Sequence, residues 1–409
     1  MNQKVTNFIA MDIGSSKIAA LGAFIDKNGD AQIMGQNLHY SDGIKSSVVT
    51  DLHLAENSIL QAVYTLEQEC DTNINEAVIS LSGYGTKSYF LENSIKINAD
   101  KITSTDVQKL VQKTLGNFNI KDHDVIHYFP IEFVLDDDNV VNDPVGMFSN
   151  ILECKLHVIA VSSNILKNLA NCLSKCQIEI SGVVLGIYAS GIACLTDDEK
   201  NLGSLIIDLG ARTTSFGIFL AGKMVYSGYI PLGGWHITSD IAKAFSTSLA
   251  NAEKLKVLYG SATNLPLGAS STISLEDEDN NEITITSSDL AEIIGPRVQE
   301  ILDLLKLQYD KIGIDYLISR RIVLTGGGSI LKGLKEMVSK TFQKQTRTGK
   351  PKVFHGFAED YNPGIYSTSV GLLETYVNRQ RKNYNPALDD FSTKQSISKK
   401  IFAWLKQNL

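Results

Sequence analysis

The chain has 409 residues, of which 43% are hydrophobic and 20% are charged, and this balance predicts a folded protein with more than one hydrophobic core. Its formal net charge of −7 argues against a general basic surface, so we expect no nucleic acid partner and look instead to a nucleotide, a protein or a local membrane contact. The chain has no run of about 18 apolar residues, and its N-terminus lacks the apolar core of a signal peptide, which predicts a cytosolic protein without a membrane-spanning helix.

The first predicted element is the segment FIAMDIGSSKIAALGAFI, residues 8–25. An apolar strand ends in Asp-x-Gly, a small polar turn follows, and a second strand begins. AQIMGQNLHY then supplies a third strand, and Gly and Asn residues supply the turns. A helix is predicted next, with five residues at helical spacing on one side: Ile59, Leu60, Val63, Leu66 and Cys70.

Residues 84–163 form a separate run of predicted elements. The strands are SYFLENSIKI, DVIHYFPIEFVLD and LECKLHVIAVS, and the helix TSTDVQKLVQKTLGNF has Thr103 or Ser104 as its N-cap. His123, His127 and His157 lie here at spacings that match no metal motif, so we interpret them as structural or surface histidines. The five cysteines include no CxxC pair, and Cys172 and Cys176 fall in a predicted apolar helix, which favours buried thiols over a metal site or disulfides.

The first pattern returns about two hundred residues later, in SLIIDLGARTTSFGIFLAGKMVYSGYI, residues 204–230. Again a strand ends in Asp-x-Gly and two further strands follow. A repeat of this kind predicts two related α/β lobes.

The two Asp-x-Gly turns together predict a phosphate site. Glycine lets the backbone approach a ligand, and successive N–H groups in such a turn bind phosphate oxygens. Asp12 and Asp208 would hold Mg²⁺ through its water shell, because Mg²⁺ keeps several waters and uses few protein ligands. Two facing turns would clamp a triphosphate from both sides.

The third glycine-rich segment is RIVLTGGGSILKGLKEMVSK, residues 321–340. A strand runs into three glycines, and the predicted helix after them carries Ile330, Leu331, Leu334 and Val338 on one face. Such a junction either binds a ligand at the helix N-terminus or is only a tight turn. It matches neither the P-loop nor the dinucleotide pattern.

The C-terminal composition changes after residue 378. Residues 379–395 are polar and aperiodic and are predicted to be a linker, and SISKKIFAWLKQNL (396–409) is predicted to be an amphipathic helix. Its apolar side and its lysines suit an anionic membrane surface, although a helix docked on the protein's own core is the alternative. The predicted membrane residues are Ile397, Lys399, Lys400, Ile401, Phe402, Trp404, Leu405 and Lys406.

Taken in order, these segments resemble a known family. The order of two phosphate turns and LTGGGS is similar to the signature shared by actin, sugar kinases and the large heat-shock chaperones. MDIGSSKIAAL, ISLSG, PVGM, PLGGWHITSDIAKAF, NAEKLKVLYG and YSTSVGLLE extend a resemblance to the FtsA family over nearly the whole chain. It implies an α/β, actin-like (ribonuclease H-like) two-lobe ATPase fold with an FtsA-type inserted subdomain and a C-terminal amphipathic helix.

The resemblance also implies domain bounds. The first lobe would be 1–83, continued by about 164–195 and 360–378, and the inserted subdomain would be 84–163. The core of the second lobe would be 196–232, continued by about 301–359, with an outer subdomain at 233–300. A linker at 379–395 and the membrane helix at 396–409 would complete the chain.

The resemblance assigns ATP and Mg²⁺ as cofactors and gives roles to single residues. Ser15, Ser16 and Lys17 would meet the phosphates beside Gly14, and Glu253 and Lys256 would approach ribose and adenine, although from sequence alone the last two also fit a solvated helix face. Gly233 and Gly234 would line the cleft floor. The remaining predicted nucleotide contacts are Gly210, Thr213, Gly326, Gly327 and Gly328.

Two positions depart from the family pattern. The second turn usually reads Asp-x-Gly-Gly-Gly-Thr, and here Ala211 and Arg212 replace two glycines, so Arg212 either projects into solvent from an altered turn or adds a contact to phosphate. The residue that orients the attacking water in this fold aligns with Gly182, with Glu179 as a neighbour. We therefore expect tight ATP binding and slow hydrolysis.

The function implied by the resemblance is a peripheral protein of the cytoplasmic membrane face at the division site. It would tether filaments of FtsZ by the FtsZ C-terminal tail, with Arg297 as the contact, polymerise with itself, and recruit later division proteins through residues 84–163. The alternatives are a pilus-assembly adaptor of the same fold and a kinase or phosphohydrolase, which would need a catalytic carboxylate over a second-substrate pocket.

Overall fold

The structure is a computed structural model, and it describes most of the chain. The described residues are 6–26, 29–98, 101–136, 139–264, 270–276, 282–315, 318, 321–357, 364–380 and 391–392. The predicted membrane helix at 396–409 lies outside the described residues. None of the helices within the described ranges is long and apolar enough to cross a membrane.

Five strands form the sheet of the first lobe, in the order β11-β6-β1-β2-β3. They are β1 (Thr6–Ile13), β2 (Lys17–Ile25), β3 (Ala31–Tyr40), β6 (Glu76–Leu81) and β11 (Glu179–Leu185). The first three form an antiparallel meander, and β6 and β11 continue from β1 in parallel. The run from Phe8 to Met11 is fully buried, as in a sheet covered on both faces.

Helix α1 (Leu52–Cys70) packs on this sheet, and Asp51 caps its N-terminus. Ile59, Val63 and Leu66 are buried as the spacing predicts. Leu60 is not: its side chain is 47% exposed, because it lies about 100° round the helix from Ile59 and faces away from the sheet. A two-stranded ribbon, β4 (Ile44–Lys45) and β5 (Val48–Val49), precedes the helix.

The second lobe repeats the first sheet strand for strand, in the order β14-β13-β12-β17-β18. Its strands are β12 (Ser204–Leu209), β13 (Thr214–Leu220), β14 (Lys223–Ile230), β17 (Arg321–Thr325) and β18 (Gln345–Thr348). Again three antiparallel strands form a meander and two parallel strands complete the sheet. The prediction of two related lobes is confirmed.

Two helices fill the layer between the sheets. Helix α4 (Gly186–Cys194) packs on β12 and β13, and α10 (Ser367–Gln380) packs on β1, β2 and β6. Their backbones touch, since a Cβ atom built on Gly371 would lie 1.8 Å from the carbonyl oxygen of Ala189. The two helices therefore hold the lobes together directly behind the strand ends.

The inserted subdomain has its own sheet and its own core. The strands are β7 (Thr86–Lys96), β8 (His123–Leu135), β9 (Asn139–Val141), β10 (Ile151–Ser162) and β19 (Phe391–Ser392), and α2 (Ser104–Gly116) packs on β7 and β10. Thr103 and Asp106 form a capping box at the start of α2. The sheet joins the second lobe through His157, whose Nδ1 lies 3.0 Å from the carbonyl oxygen of Met224.

The segment 379–395 was predicted to be a linker, but its described residues, 379–380 and 391–392, belong to a helix and a strand. Helix α10 continues through Gln380, and Phe391–Ser392 pair with Tyr128 and His127 of β8. These two residues pair with the free edge of β8 by backbone hydrogen bonding. Such pairing cannot be predicted from the periodicity of the side chains.

Further helices complete the fold. The outer part of the second lobe contains α6 (Gly234–Ala244), α7 (Leu249–Tyr259), α8 (Ser287–Ile312) and the hairpin β15 (Thr272–Glu276) and β16 (Glu282–Thr286). The remaining helices are α3 (Ser163–Lys175), α5 (Asp197–Leu202) and α9 (Leu334–Phe342). Cys172 is buried in α3 and Cys176 caps it, and all five cysteines are free thiols.

The predicted helix after the three glycines begins later than the spacing suggested. Gly327–Ile330 form one turn of 3-10 helix, and α9 begins only at Leu334, because Gly333 adopts a left-handed backbone conformation. Leu334 and Val338 are buried as predicted, but Ile330 is 54% exposed. The exposed Ile330 lines a mainly apolar cavity between the lobes.

Candidate functional site

The two Asp-x-Gly turns have the same backbone geometry. The N–H of Gly14 donates to the carbonyl of Lys17 at 3.0 Å, and the N–H of Gly210 donates to the carbonyl of Thr213 at 3.0 Å. A Cβ atom on Gly14 or Gly210 would lie 2.8 or 2.9 Å from the same carbonyl oxygen, so both turns need glycine. The turns face each other across one cavity between the lobes, which we call the turn cavity.

Asp12 and Asp208 lie at the base of the turn cavity, each held by a serine from the neighbouring element. Ser80 Oγ donates to Asp12 Oδ1 at 2.5 Å, and Ser190 Oγ donates to Asp208 Oδ2 at 3.0 Å. Thr368 connects the two, since it hydrogen-bonds Asp12 and its hydroxyl lies 3.0 Å from that of Ser190. The two lobes thus present matching carboxylates joined by one hydroxyl network.

Burial and charge shift the pKa values of this pair. Burial raises the pKa of Asp12, and burial together with the charge of Asp12 raises the pKa of Asp208 to about 6. Burial lowers the pKa of Lys17, whereas Asp12 and Asp208 act in the opposite direction. The single positive charge of Lys17 does not neutralise both carboxylates, so acceptors remain that a divalent cation would satisfy.

The donor set fits Mg²⁺ better than a cation that needs a full protein cage. Among the described residues, no cluster of three or more His, Cys, Asp and Glu side chains could hold a metal. Mg²⁺ uses one or two carboxylates, several waters and phosphate oxygens. Asp12 and Asp208 would supply the carboxylates, and the two turns would supply the place for phosphate.

A second cavity of about 380 Å³ opens from the first and is mainly apolar, so we call it the apolar cavity. Its volume lies in the range of small-molecule sites, about 300–1,000 Å³. Val257, Ile330 and Leu331 contribute apolar surface, and Trp235 lies at its edge. Six residues line both cavities, so one ligand can occupy both: Ser16, Lys17, Gly210, Ala211, Gly327 and Ile365.

Glu253 and Lys256 lie on the wall of the apolar cavity. The Lys256 ammonium donates to Glu253 Oε2 at 2.7 Å, to Thr238 Oγ1 at 2.8 Å and to the carbonyl of Gly234 at 3.1 Å. Only 15% of the Lys256 side chain is exposed. The network anchors α7 on α6, which is not the arrangement of a freely solvated helix face.

The predicted glycines occupy distinct positions around the cleft. Gly327 faces Lys17, whose Nζ would lie 3.2 Å from a Cβ there, and Gly326 has φ +83° with a Cβ position 2.2 Å from Asp208 Oδ1. Gly234 lines the apolar cavity, but Gly233 lines neither cavity. Instead Gly233 packs on the second turn, where a Cβ would lie 2.5 Å from the carbonyl oxygen of Gly210.

Several residues of the site carry no sequence signal of their own. Ser80, Ser190 and Thr368 hold the aspartates, and Ser47 lines the turn cavity. Two of them lie in segments that carry the family resemblance, Ser80 in ISLSG and Thr368 in YSTSVGLLE. Gly182 was aligned with the water-orienting position, but it lies inside β11 against Val78, and Gly186 is the residue that lines the cavity.

Arg212 and Arg297 are both held by neighbours. The Arg212 guanidinium stacks on Trp235, 4.1 Å from the ring centroid, so it does not project freely into solvent. Its backbone φ is not positive, and the steric objection to a side chain at this turn position does not apply. Arg297 donates to both carboxylate oxygens of Asp240, at 2.6 and 3.1 Å, and also pairs with Glu300.

Comparison with known proteins places the chain in a family. Residues 205–371 match the model of "Cell division protein FtsA", and residues 83–160 match that of the "SHS2 domain inserted in FTSA". The cell division protein FtsA of Buchnera aphidicola subsp. Acyrthosiphon pisum is 31% identical over 411 residues, which cover 98% of this chain and 97% of that protein. The Pseudomonas aeruginosa protein of the same name is 29% identical over 408 residues, with the same coverage.

Solved structures show the same fold. A PilM-PilN type IV pilus biogenesis complex matches with a TM-score of 0.64 and 16% identity, covering 90% of this chain and 98% of the matched chain. MreB5 of Spiroplasma citri bound to ADP matches with a TM-score of 0.55 and 13% identity, covering 91% and 98%. The actin-like fold with its inserted subdomain is thereby confirmed, and on the sequence matches the chain belongs to the FtsA family of cell division proteins.

Proposed function

We propose that this protein binds ATP with Mg²⁺ in the cleft and uses the bound nucleotide to hold its two lobes in one conformation. The observation that carries the proposal is the pair of identical glycine turns that face each other over Asp12 and Asp208. Backbone N–H groups of such turns suit phosphate oxygens, and the adjoining apolar cavity has room for a nucleoside. The actin-like neighbour MreB5 of Spiroplasma citri, solved with ADP and with AMPPNP, adds support.

Several of the predicted residues have a defined role in this proposal. Lys17 pairs with phosphate oxygens from the first turn, while Asp12 and Asp208 orient the water shell of Mg²⁺. Mg²⁺, when bound, offsets the charge of the phosphates. Lys256 and Glu253 position the ribose and adenine in the apolar cavity, and the backbone at Gly326–Gly328 lies beneath them.

Slow turnover follows from what lines the turn cavity. Among the described residues, its acidic side chains are Asp12 and Asp208, and no Gln or Glu reaches it. A residue that orients the attacking water is therefore missing from the described lining. We propose that ATP acts mainly as a clamp between the lobes and less as a source of energy. The clamp would fix the two central helices, which carry Ser190 and Thr368.

A titration of the full chain with Mg-ATP tests the nucleotide site. We expect Lys17→Met to weaken binding by about tenfold or more, because a charge-assisted contact to phosphate is lost. Lys254→Met is the matched control, since Lys254 is exposed on α7 and lines neither cavity. Failure of the wild-type protein to bind Mg-ATP at millimolar concentration would contradict the proposal.

Family membership supports a role in cell division, and we propose that the protein tethers FtsZ to the cytoplasmic membrane face. Residues 396–409 would be the anchor, filaments of the protein would present many anchors together, and residues 84–163 would recruit later division proteins. Arg297 remains the proposed contact for the FtsZ tail. Because Asp240 and Glu300 already pair with it, an incoming carboxylate must exchange with them.

Co-sedimentation with anionic liposomes, with and without ATP, tests the anchor. The full chain is compared with a chain that ends before Ser396. We expect the full chain to pellet with the liposomes and the truncated chain to stay in the supernatant. Added FtsZ should pellet with the liposomes only when the full chain is present.

If neither form pellets at low salt, the tethering function is wrong, and the result supports the pilus-type alternative. The likeness to the PilM-PilN complex favours that alternative, in which the protein binds a peptide of a membrane protein and needs no anchor of its own. A kinase would instead transfer phosphate from ATP to a small acceptor.

A further inference from the structure

Arg212 and Trp235 form a stacked pair at the boundary of the two cavities. The guanidinium carbon lies 4.1 Å from the centroid of the indole ring. Arg212 lines the turn cavity and not the apolar cavity, whereas Trp235 lines the apolar cavity and not the turn cavity. The pair therefore connects the end of the cleft that suits phosphate with the end that suits a nucleoside.

The charge of Arg212 has no protein counter-ion. Across the part of the chain that the structure describes, no carboxylate forms an ion pair with it, and its guanidinium lies over Trp235 and near the imidazole of His236. Burial lowers the pKa of Arg212, which reports partial loss of its hydration. The two acids that line the turn cavity, Asp12 and Asp208, already act on Lys17. This guanidinium is therefore available to pair with an anion from outside the protein.

Stacking leaves this guanidinium free to bind an anion. A guanidinium on an aromatic ring keeps its N–H donors in its own plane, and the plane is available for a bidentate contact to phosphate. The ring also limits the rotamers of Arg212, so less entropy is lost when the contact forms. Trp235 is thus a support that positions the charge at the turn.

The turn and the tryptophan move together because their backbones are joined. The N–H of Trp235 donates to the carbonyl of Ala211 at 2.7 Å, and the N–H of Gly234 donates to the carbonyl of Gly210 at 2.9 Å. Gly233 permits this contact, since any side chain there would collide with Gly210 and Ala211. A force on Arg212 is transmitted to the first turn of α6.

We propose that Arg212, positioned by Trp235, binds the terminal phosphate of the nucleotide and makes the cleft distinguish a triphosphate from a diphosphate. The inference rests on the nucleotide binding proposed above and adds its specificity. Arg212 lines the turn cavity and not the apolar cavity, so it meets the phosphates and not the nucleoside. An unequal loss of triphosphate and diphosphate affinity on its replacement identifies the terminal phosphate as its partner. Where the family pattern has glycine, this chain has a side chain that detects the state of the nucleotide.

The experiment uses the full chain with Trp404→Phe, which leaves Trp235 as its single tryptophan. Mg-AMPPNP and Mg-ADP are titrated by calorimetry, and Trp235 emission is recorded at saturation. We expect AMPPNP to shift the emission and ADP to shift it less, because a phosphate on the stacked guanidinium changes the field at the indole. Arg212→Gln should weaken AMPPNP binding about tenfold, leave ADP binding within about twofold and remove the AMPPNP-specific shift.

Arg321→Gln is the matched control, because it removes the same charge at the exposed far end of β17. Arg212→Lys keeps the charge without the planar donors and should fall between Arg212→Gln and the unsubstituted residue, which tests the inference even if Arg212→Gln folds poorly. Equal loss of AMPPNP and ADP affinity, or no loss of either, overturns the inference while nucleotide binding stands. If the protein with Arg212 intact binds neither ligand, the proposed function itself fails.

Discussion

Replacing Gly371 with alanine should separate the two helices that join the lobes. A Cβ at Gly371 would lie 1.8 Å from the carbonyl oxygen of Ala189, and real Cβ contacts do not fall below 3.0 Å. The helices must therefore move apart by about 1.2 Å, the difference between these distances. Because the obstacle is backbone and not the end of a flexible side chain, α4 and α10 have to shift as bodies.

The net effect on the free energy of unfolding can be estimated from two opposing contributions. Overpacking of this kind destabilises by about 3 kcal/mol, and the higher helix propensity of alanine returns about 1 kcal/mol. We expect a net loss of about 2 kcal/mol. Since Ser190 lies in α4 and Thr368 in α10, the same shift should lengthen their contact, now 3.0 Å, and weaken the hold on Asp12 and Asp208.

Urea unfolding and an ATP titration of the same variant measure both effects. Gly116→Ala is the control, because Gly116 ends α2 and a Cβ there would meet no atom within 4 Å. The control should keep or slightly raise the stability. If Gly371→Ala matches the control and binds ATP like the wild type, the direct helix contact does not join the lobes in solution, and the reasoning fails.

Three further predictions concern buried charge and glycine. The pKa of Asp208 in the folded protein, about 6, lies above its ordinary 3.8. Protonated Asp208 therefore adds to the free energy of unfolding, fully below about pH 4, and this contribution is lost as pH rises through 6. Nucleotide-free Asp208→Asn should therefore exceed the wild type by about 3 kcal/mol in urea unfolding at pH 7, and a gap that persists at pH 4 would refute this. Burial raises the pKa of Glu199, but hydrogen bonds from Arg347 and Thr196 outweigh burial and hold it below 4.5. Glu199→Gln should lose about 2 kcal/mol at neutral pH, and its deficit should shrink as pH falls through that pKa; a deficit independent of pH would count against the ion pair. Gly326→Ala should destabilise the fold more than Gly29→Ala, because both have positive φ but only Gly326 faces Asp208; equal unfolding midpoints would show that the contact is relieved freely.

Local pattern was sufficient for much of the fold. Each Asp-x-Gly turn lies between strands whose alternation and apolar runs are visible in the sequence, and the repetition of this pattern predicts two lobes. The capping box at Thr103 likewise depends only on residues three apart. Where the local rule and the tertiary contact agree, as for Ile59 and Leu66 in α1, prediction and structure coincide.

Tertiary structure decided what depends on distant residues. The hydroxyls that hold Asp12 and Asp208 come from positions 80, 190 and 368, and common residues such as serine and threonine give no signal until folding brings them to the carboxylates. The start of α9, the exposure of Leu60 and the pairing of Phe391 with β8 likewise follow from contacts, not from composition. The residue types of the cleft were thus determined by the sequence. The stack of Arg212 on Trp235 forms only when the second lobe folds, and the shifted pKa values of Asp12, Asp208 and Lys17 arise only when the two lobes face each other.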